Sequence, residues 1–322
     1  MALDPTLERP RRSKDPGFSD AVTCAFSDPA AGVHGTVRIG IAGGVASGLV
    51  MVFAGGAPVL THAEGGVQLA EPPETYADLQ AAGIDHDVVE PHRAWTISAA
   101  TDDGAIDLAY EATGPALVLD DDHPAALLGG MEGYDHPCRV RGTIRLGADQ
   151  GHRRITIDGI GQRGHQWGAP DWSKIDLSRA ITGWFDGGPS FSLSALRPAG
   201  AASHADEVAW AAIARVPLPE PSDDEDGDGT AEPLEPTTPA PAEAVQTPGP
   251  RISTTSDAEG RHTQATVELW ESDHGPVWTV TGEAVAGNTM ELGRLRLDTA
   301  FFRWRLMGRD GVGRYDILRK VD

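Results

Sequence analysis

An alternation of apolar and polar side chains with a period of two residues most constrains the fold of this chain. In residues 138–146 (CRVRGTIRL), cysteine, valine, isoleucine and leucine alternate with arginines and a threonine. The same period recurs in residues 191–196 (FSLSAL) and along residues 294–306. Because successive side chains of a β-strand point to opposite faces of the sheet, each segment is predicted to be a half-buried strand.

Glycine-containing turn signals separate these strands at short intervals. Asp103-Gly104, Asp186-Gly187 and Asp310-Gly311 are examples. Helical periodicity is confined to one short candidate, residues 74–83 (ETYADLQAAG). Many short strands joined by glycine-rich turns are typical of an all-β sandwich or barrel.

The charge and the cysteine content narrow the class of partner and the compartment. The formal net charge of −22 disfavours nucleic acid and anionic membrane surfaces, because both need clustered lysine and arginine. The 2 cysteines are far apart in sequence, which favours a reducing compartment over a disulfide framework. The first residues lack the apolar segment of a secretory signal peptide, and no apolar stretch is long enough to span a bilayer. We therefore expect a cytoplasmic protein without an integral membrane segment.

The segment at residues 217–250 differs in composition from the rest of the chain. It is rich in proline and acidic residues and lacks aromatic residues, so it is predicted to be disordered. Asp224 to Glu235 within it match the spacing of an EF-hand calcium loop. Pro233 falls inside that loop and further prolines flank it, which excludes the two helices an EF-hand requires. No histidine or cysteine spacing indicates zinc, and no metal site is expected.

Two neighbouring polar and aromatic stretches are the best candidates for a functional site. Residues 161–172 (GQRGHQWGAPDW) place His165 between glycines and close to Trp167 and Trp172. Residues 132–137 (EGYDHP) precede the strand that is predicted to form a hairpin with this stretch. Both would then lie at the same end of one sheet. From the residues alone, this end is either a ligand site or an aromatic plug that closes a barrel.

The same two stretches resemble a known family. YDHPCRVRG and IDGIGQRGHQWGAPDW are similar to the paired pattern Y-E-x-P-x-R-V-x-G and G-x-G-x-R-D-H-S-W-G-x-R-D-W. That pattern belongs to lipocalin-like proteins grouped with AttH and with CrtC, a carotenoid 1,2-hydratase also called hydroxyneurosporene synthase. The resemblance covers most of the chain apart from the acidic segment. It implies two consecutive lipocalin-like antiparallel β-barrels or half-barrels with few helices, and a ligand cavity between or within them.

The resemblance also implies a division of the chain. We expect a disordered tail at residues 1–17, one lipocalin-like domain at residues 18–165 and a second at residues 166–322. The acidic segment 217–250 would interrupt the second domain.

Candidate site residues follow from the motif and from its neighbours. The candidate catalytic residues are His165, Asp135 and Asp171. The candidate ligand-binding residues are Tyr134, His136, Arg163, Trp167 and Trp172. An acid of raised pKa would protonate an alkene carbon, with His165 as relay and aromatic faces stabilising the cation. The sequence departs from the family at Gly164, where an aspartate is usual, and at Gln166, where a serine is usual.

The predicted function is binding of a hydrophobic small molecule in a β-barrel cavity. An isoprenoid, a steroid or a polyketide would fit, and family members include hydratases and cyclases. Catalysis would then be that of a hydratase, isomerase or cyclase without a cofactor. Two alternatives stay open: a non-catalytic carrier, and an interaction scaffold whose acidic segment recruits a basic partner. The sequence does not indicate an oligomeric state.

Overall fold

Two antiparallel β-sheets dominate the computed structural model, which describes residues 3–215, 243–272 and 275–321. The 11-stranded first sheet consists of β1 (Ser19–Asp28), β2 (Val33–Ala42), β3 (Val45–Ala54), β4 (Ala57–Gln68), β5 (Leu79–Ala81), β6 (Ile84–Glu90), β7 (Ala94–Thr101), β8 (Gly104–Ala112), β9 (Leu117–Leu119), β10 (Met131–Leu146) and β11 (Arg154–Gly168). The 9-stranded second sheet consists of β12 (Ile175–Trp184), β13 (Ser190–Pro198), β14 (Val208–Arg215), β15 (Glu243–Gln246), β16 (Arg251–Ser256), β17 (His262–Trp270), β18 (Val277–Leu292), β19 (Leu295–Leu306) and β20 (Arg309–Lys320).

Helical structure is sparse in the described residues. The helix α1 spans Pro124–Gly129, and short 3-10 helices span Pro5–Glu8, Ala148–Gln150 and His204–Asp206. None of these helices combines the length and the apolar character needed to cross a bilayer. The predicted all-β class with few helices is confirmed.

The first sheet is a nearly closed barrel and the second is a half-barrel. In the first, the strand order is β4-β3-β2-β1-β11-β10-β8-β7-β6-β5, and the short β9 pairs with β10 beside β8. β3 lies against β5 where the ends of this sheet approach each other. In the second, the order is β15-β14-β13-β12-β20-β19-β18-β17-β16. The interior of each curved sheet is filled by the apolar side chains of the two-residue alternation, such as Val140 and Ile144 in the first and Phe302 and Trp304 in the second.

The predicted hairpin between residues 138–146 and the following strand is confirmed. It is formed by β10 and β11, in a register that places Tyr134 opposite His165 and Asp135 opposite Gly164. Neighbouring residues of a strand point to opposite faces, so these two pairs face opposite sides of the barrel wall. This register divides the predicted site between the barrel interior and its outer surface.

The N-terminal segment differs from the expected disordered tail. Residues 3–17 are described, and the turn at Pro5–Glu8 carries the buried side chain of Glu8 against the barrel. Glu8 forms an ion pair with Arg163 inside the barrel, and Leu7 accepts a hydrogen bond from His165. A buried arginine requires a counter-ion, and sequence patterning did not reveal that Glu8 supplies it.

The helix predicted at residues 74–83 is also wrong. The segment is a turn that leads into β5, with Asp78 and Ala82 at positive φ values of 54° and 51°. Tyr76 within it is buried in the barrel. Tertiary contacts of this kind commonly outweigh a short helical pattern.

The acidic segment is described only at its end. Residues 243–246 form β15, which pairs with β14, so this part of the predicted disordered segment is a strand. Residues 216–242, with the calcium-loop match from Asp224 to Glu235, lie outside the described residues. The chain leaves the first sheet at Gly168 and enters the second at Ile175; the proposed domain division at residue 165 stays a prediction.

Candidate functional site

Two adjoining hollows lie between the sheets. The first, called here the Asp135 hollow, has a volume of about 390 Å³ and receives side chains from both sheets and from α1. The second, called the Met51 hollow, has a volume of about 600 Å³. The two share six lining residues: Arg38, Gln166, Ser178, Ala180, Arg314 and Leu318. Together they form one space between the outer surface of the barrel and the second sheet.

Asp135 is the acidic group of the first hollow. Its side chain projects from β10 toward the second sheet, and Gln166 donates a hydrogen bond from Nε2 to its Oδ1 over 3.0 Å. Burial raises the pKa of Asp135 to about 6, although hydrogen bonding from Ser192 and the charge of Arg314 act in the opposite direction. A carboxyl group with this pKa exchanges protons readily near neutral pH.

The two departures from the family motif both bear on Asp135. A Cβ atom at Gly164 would collide with the Asp135 carboxylate and with the Gln166 amide, so the glycine leaves room for both groups. Gln166 then uses that room to hold the carboxylate. The acid that the motif usually places at position 164 is absent, and the acid from the opposite strand lies in its space.

His165 faces the other way, into the barrel, and its side chain is 0% exposed. Its Nδ1 lies 2.9 Å from the Leu7 carbonyl oxygen and its Nε2 lies 2.8 Å from Oδ1 of Asp20. Because a carbonyl oxygen only accepts, Nδ1 carries a proton, and the contact with Asp20 contains a second proton. Burial lowers the pKa of His165, while Asp20 acts against that shift.

Arg163 is the charged centre of the barrel interior. Its side chain is 0% exposed, and Nη2 lies 2.7 Å from the Glu8 carboxylate. Nη1 donates a hydrogen bond of 2.9 Å to the Tyr134 hydroxyl, and the guanidinium lies 5.1 Å from the centre of the Trp95 ring. Burial tends to raise the pKa of Glu8, but Arg163 and the His92 N–H outweigh it and lower that pKa. Both partners of this ion pair are buried inside the barrel.

The structure thus separates the predicted site residues into three groups. Those gathered inside the barrel, packed ring against ring or ion paired, are Tyr134, His136, Arg163, His165 and Trp167. Those at the Asp135 hollow are Asp135 and Trp172, and Tyr134 borders it as well. Asp171 lies at the surface, where its Oδ1 accepts hydrogen bonds from Ser173 and its Oδ2 lies 3.3 Å from Lys174.

Several residues of these clusters were missed by sequence reasoning. Glu8, Asp20 and Tyr76 complete the network inside the barrel; Tyr76 donates a hydrogen bond to Asp20. Arg38 and Arg314 border both hollows. Each arginine lies at an outward-facing position of a strand with alternating apolar residues, and this pattern in the sequence could have indicated both residues. Among the residues that the structure describes, no group of three or more potential metal ligands is positioned to hold a metal ion.

The fold is similar to that of several solved proteins. A protein of Nitrosomonas europaea identified as a candidate AttH superposes with a TM-score of 0.65 at 11% identity, covering 99% of this chain and 97% of its own. CghA, solved in complex with Sch210972, superposes with a TM-score of 0.59 at 11% identity, covering 95% and 89%. Kievitone hydratase from Nectria haematococca gives a TM-score of 0.58 at 10% identity, covering 94% and 89%.

These likenesses confirm the AttH-like lipocalin fold that the tryptophan-glycine motif predicted. No protein with a curated description matches the sequence. A family model described as a domain of unknown function (DUF7064) matches residues 6–211, which include the whole first sheet and the strands β12 and β13 of the second. Since this match covers more than half of the chain, the protein belongs to the DUF7064 family.

Proposed function

We propose that the space between the sheets binds a hydrophobic small molecule and that Asp135 transfers a proton to or from it. The observation that carries this proposal is the placement of Asp135: a carboxyl group with a pKa of about 6 in a mostly apolar hollow. Perturbed carboxyl groups inside concave sites are typical of general acids and bases.

The walls of the hollow support an apolar ligand. Leu117, Leu196, Trp172 and Trp210 line it, and α1 contributes Ala125 at one end. Both hollows have volumes within the range of roughly 300–1,000 Å³ that small-molecule sites occupy. An isoprenoid, a steroid or a polyketide has the size and the apolar surface for such a space.

The reaction that these groups favour is proton-driven rearrangement or addition without a cofactor. A protonated Asp135 would deliver its proton to a carbon atom of an unsaturated ligand, and the indole faces of Trp172 and Trp210 would stabilise the positive charge. Capture by water and return of one water proton to the Asp135 carboxylate gives hydration. Loss of a proton from carbon to that carboxylate gives isomerisation, and attack by a second double bond followed by the same proton loss gives cyclisation. One protein of similar fold is named as a hydratase, which supports this class.

His165 supports the site through the β10–β11 hairpin in this proposal. It lies beside Gly164 on β11 but on the opposite face of the barrel wall, where Asp20 and Leu7 bind both of its ring nitrogens. A positioning role therefore fits its contacts better than direct proton relay. Its replacement would then lower activity together with stability.

The test uses a panel of unsaturated isoprenoids, steroids and polyketides incubated with the protein in heavy water. Mass spectrometry would detect carbon-bound deuterium from isomerisation or cyclisation, and added heavy water from hydration. We expect at least one compound to be converted by the wild type and by Asp149→Asn, a change in an exposed turn, but not by Asp135→Asn. Conversion that survives Asp135→Asn would contradict the proposed acid. Binding without conversion of any compound would instead favour the carrier.

A further inference from the structure

Arg38 differs from three other largely buried arginines, because each of those forms an ion pair with a carboxylate. Arg163 pairs with Glu8, Arg179 with Glu207 at 3.1 Å, and Arg314 with Asp316 at 3.1 Å. Within the described part of the chain, no carboxylate lies at ion-pair distance from Arg38. A guanidinium partly shielded from water without a counter-ion is unfavourable, so an anionic partner at this position would be stabilising.

The position of Arg38 directs it toward the ligand space. It lies on β2 between Thr23 of β1 and Leu49 of β3, on the face opposite the barrel core. It borders both hollows at the place where they adjoin. Of the acids that line the same hollows, Asp316 pairs with Arg314, and Asp135 accepts a hydrogen bond from Gln166. Glu132 accepts a hydrogen bond from Trp167, and Glu64 lies 3.8 Å from His62. Asp20 binds His165 on the other side of the wall.

The local backbone is shaped to hold this guanidinium. A Cβ atom at Gly40 would lie 2.7 Å from Nη1 of Arg38, so the glycine provides the space in which the side chain folds along the strand. Burial lowers the pKa of Arg38 and the charge of Arg314 acts in the same direction, while Tyr76 and Asp20 act in the opposite direction. The two guanidiniums thus act on each other across the shared part of the hollows.

From this arrangement we infer that Arg38 binds an anionic group of the ligand, a carboxylate, an enolate or a sulfonate. The inference rests on the proposed function and specifies its substrate class: a hydrophobic molecule whose acidic group lies at the junction of the hollows. Apolar parts would extend from there toward Trp172 and Trp210 on one side and toward Leu49 and Met290 on the other. A planar guanidinium suits such groups because it donates parallel hydrogen bonds.

The test compares two fluorescent probes that differ by one charge. 1-Anilinonaphthalene-8-sulfonate is anionic, and N-phenyl-1-naphthylamine has the same ring system without the sulfonate. The measured quantity is the ratio of their dissociation constants. Arg38→Met should shift this ratio by about tenfold or more against the sulfonate, as expected for a charge-assisted hydrogen bond. Arg38→Lys should retain part of the preference, and Arg145→Met, a change at an exposed arginine on β10, should leave the ratio unchanged.

The outcomes separate this inference from the proposed function. If the neutral probe binds and Arg38→Met leaves the ratio unchanged, the anion site is wrong while the apolar hollow stands. If neither probe binds the wild type, both are wrong. Thermal unfolding provides a second readout: removal of an uncompensated charge should leave the melting temperature equal or higher. A marked drop would show that Arg38 is structural and would overturn the inference.

Discussion

The Asp135 carboxylate lies in the space that a side chain on Gly164 would occupy, although the two residues belong to different strands. Register explains this, because Asp135 and Gly164 are directly opposite in the β10–β11 pair and share the outward face. Gly164, which stands where the family motif has an aspartate, therefore leaves the space that the Asp135 carboxylate occupies. The hydrogen bond from Gln166 completes the arrangement.

A first prediction concerns the coupling of these two positions. Gly164→Ala should lower the free energy of unfolding by about 1–3 kcal/mol, because the new methyl group collides with Asp135 and Gln166. In a background that carries both Asp135→Ala and Gln166→Ala, most of that penalty should disappear, as expected for residues in contact. Urea unfolding of the four proteins measures this. Gly65→Ala, where nothing lies near the added Cβ, is the matched control. Equal penalties in both backgrounds would contradict the account.

A second prediction concerns the pH dependence of stability. The pKa of Asp135 is raised from its ordinary value of 3.8 to about 6, mainly by burial. The folded state therefore favours the protonated form, and its stability falls as the pH rises from about 4 through about 6. Asp135→Asn removes this ionisation, so at pH 7.5 it should stabilise the protein by about 1–3 kcal/mol.

The measurement is urea unfolding at pH 4 and at pH 7.5. The gain from Asp135→Asn should be much smaller at pH 4, because there the folded-state carboxyl is protonated and the unfolded-state carboxyl, with a pKa of 3.8, is only about half ionised. Asp149→Asn, in an exposed turn, should show no such pH-dependent gain. A gain of equal size at both pH values would mean that the substitution acts through packing and not through the raised pKa.

A third prediction concerns the N-terminal segment. Glu8→Ala should lower the free energy of unfolding by about 3–5 kcal/mol, because it leaves the buried guanidinium of Arg163 without its counter-ion. Glu90→Ala removes an exposed pair with Arg93 and should cost less than about 1 kcal/mol. Chemical denaturation compares the two. If both variants lose the same small amount, the segment is not a structural part of the barrel.

A fourth prediction separates the two tryptophans of the motif. Trp172 lines the Asp135 hollow, whereas Trp167 packs on His165 inside the barrel and donates a hydrogen bond to Glu132. Trp172→Ala should weaken binding of N-phenyl-1-naphthylamine by about tenfold, since it removes apolar contact area. Trp167→Ala should act mainly on the melting temperature. Trp270→Ala on β17 controls for the general loss of an indole. A larger loss of affinity at Trp167 would place the probe in the barrel interior.

The sequence predicted the strands and the hairpin because alternation and turn residues are local signals. Period-two patterning in residues 138–146 showed which side chains share a face of β10. It did not show that the second sheet would cover the outward face of β10 around Asp135. His165 and Asp135 were therefore predicted in one site, although the register places them on opposite sides of the wall.

The other differences have the same physical origin. Glu8 and Tyr76 reach the barrel interior from segments with no strand pattern. Their partners, Arg163 for Glu8 and Asp20 for Tyr76, are far away in sequence. Such contacts depend on closure of the barrel, which no local pattern encodes. Arg38 carried a weak signal, since an arginine flanked by valine and isoleucine in TVRIGI interrupts an otherwise apolar strand.

The most direct test of ligand binding between the sheets is to fill the space where the two hollows meet. Ala180 borders both hollows, and Ala180→Trp should weaken binding of N-phenyl-1-naphthylamine by about tenfold or more without loss of the fold. Ala109→Trp, an equal change at an exposed position of β8, should bind the probe as the wild type does. Unchanged affinity in Ala180→Trp would show that the probe binds elsewhere and would contradict the site proposed here.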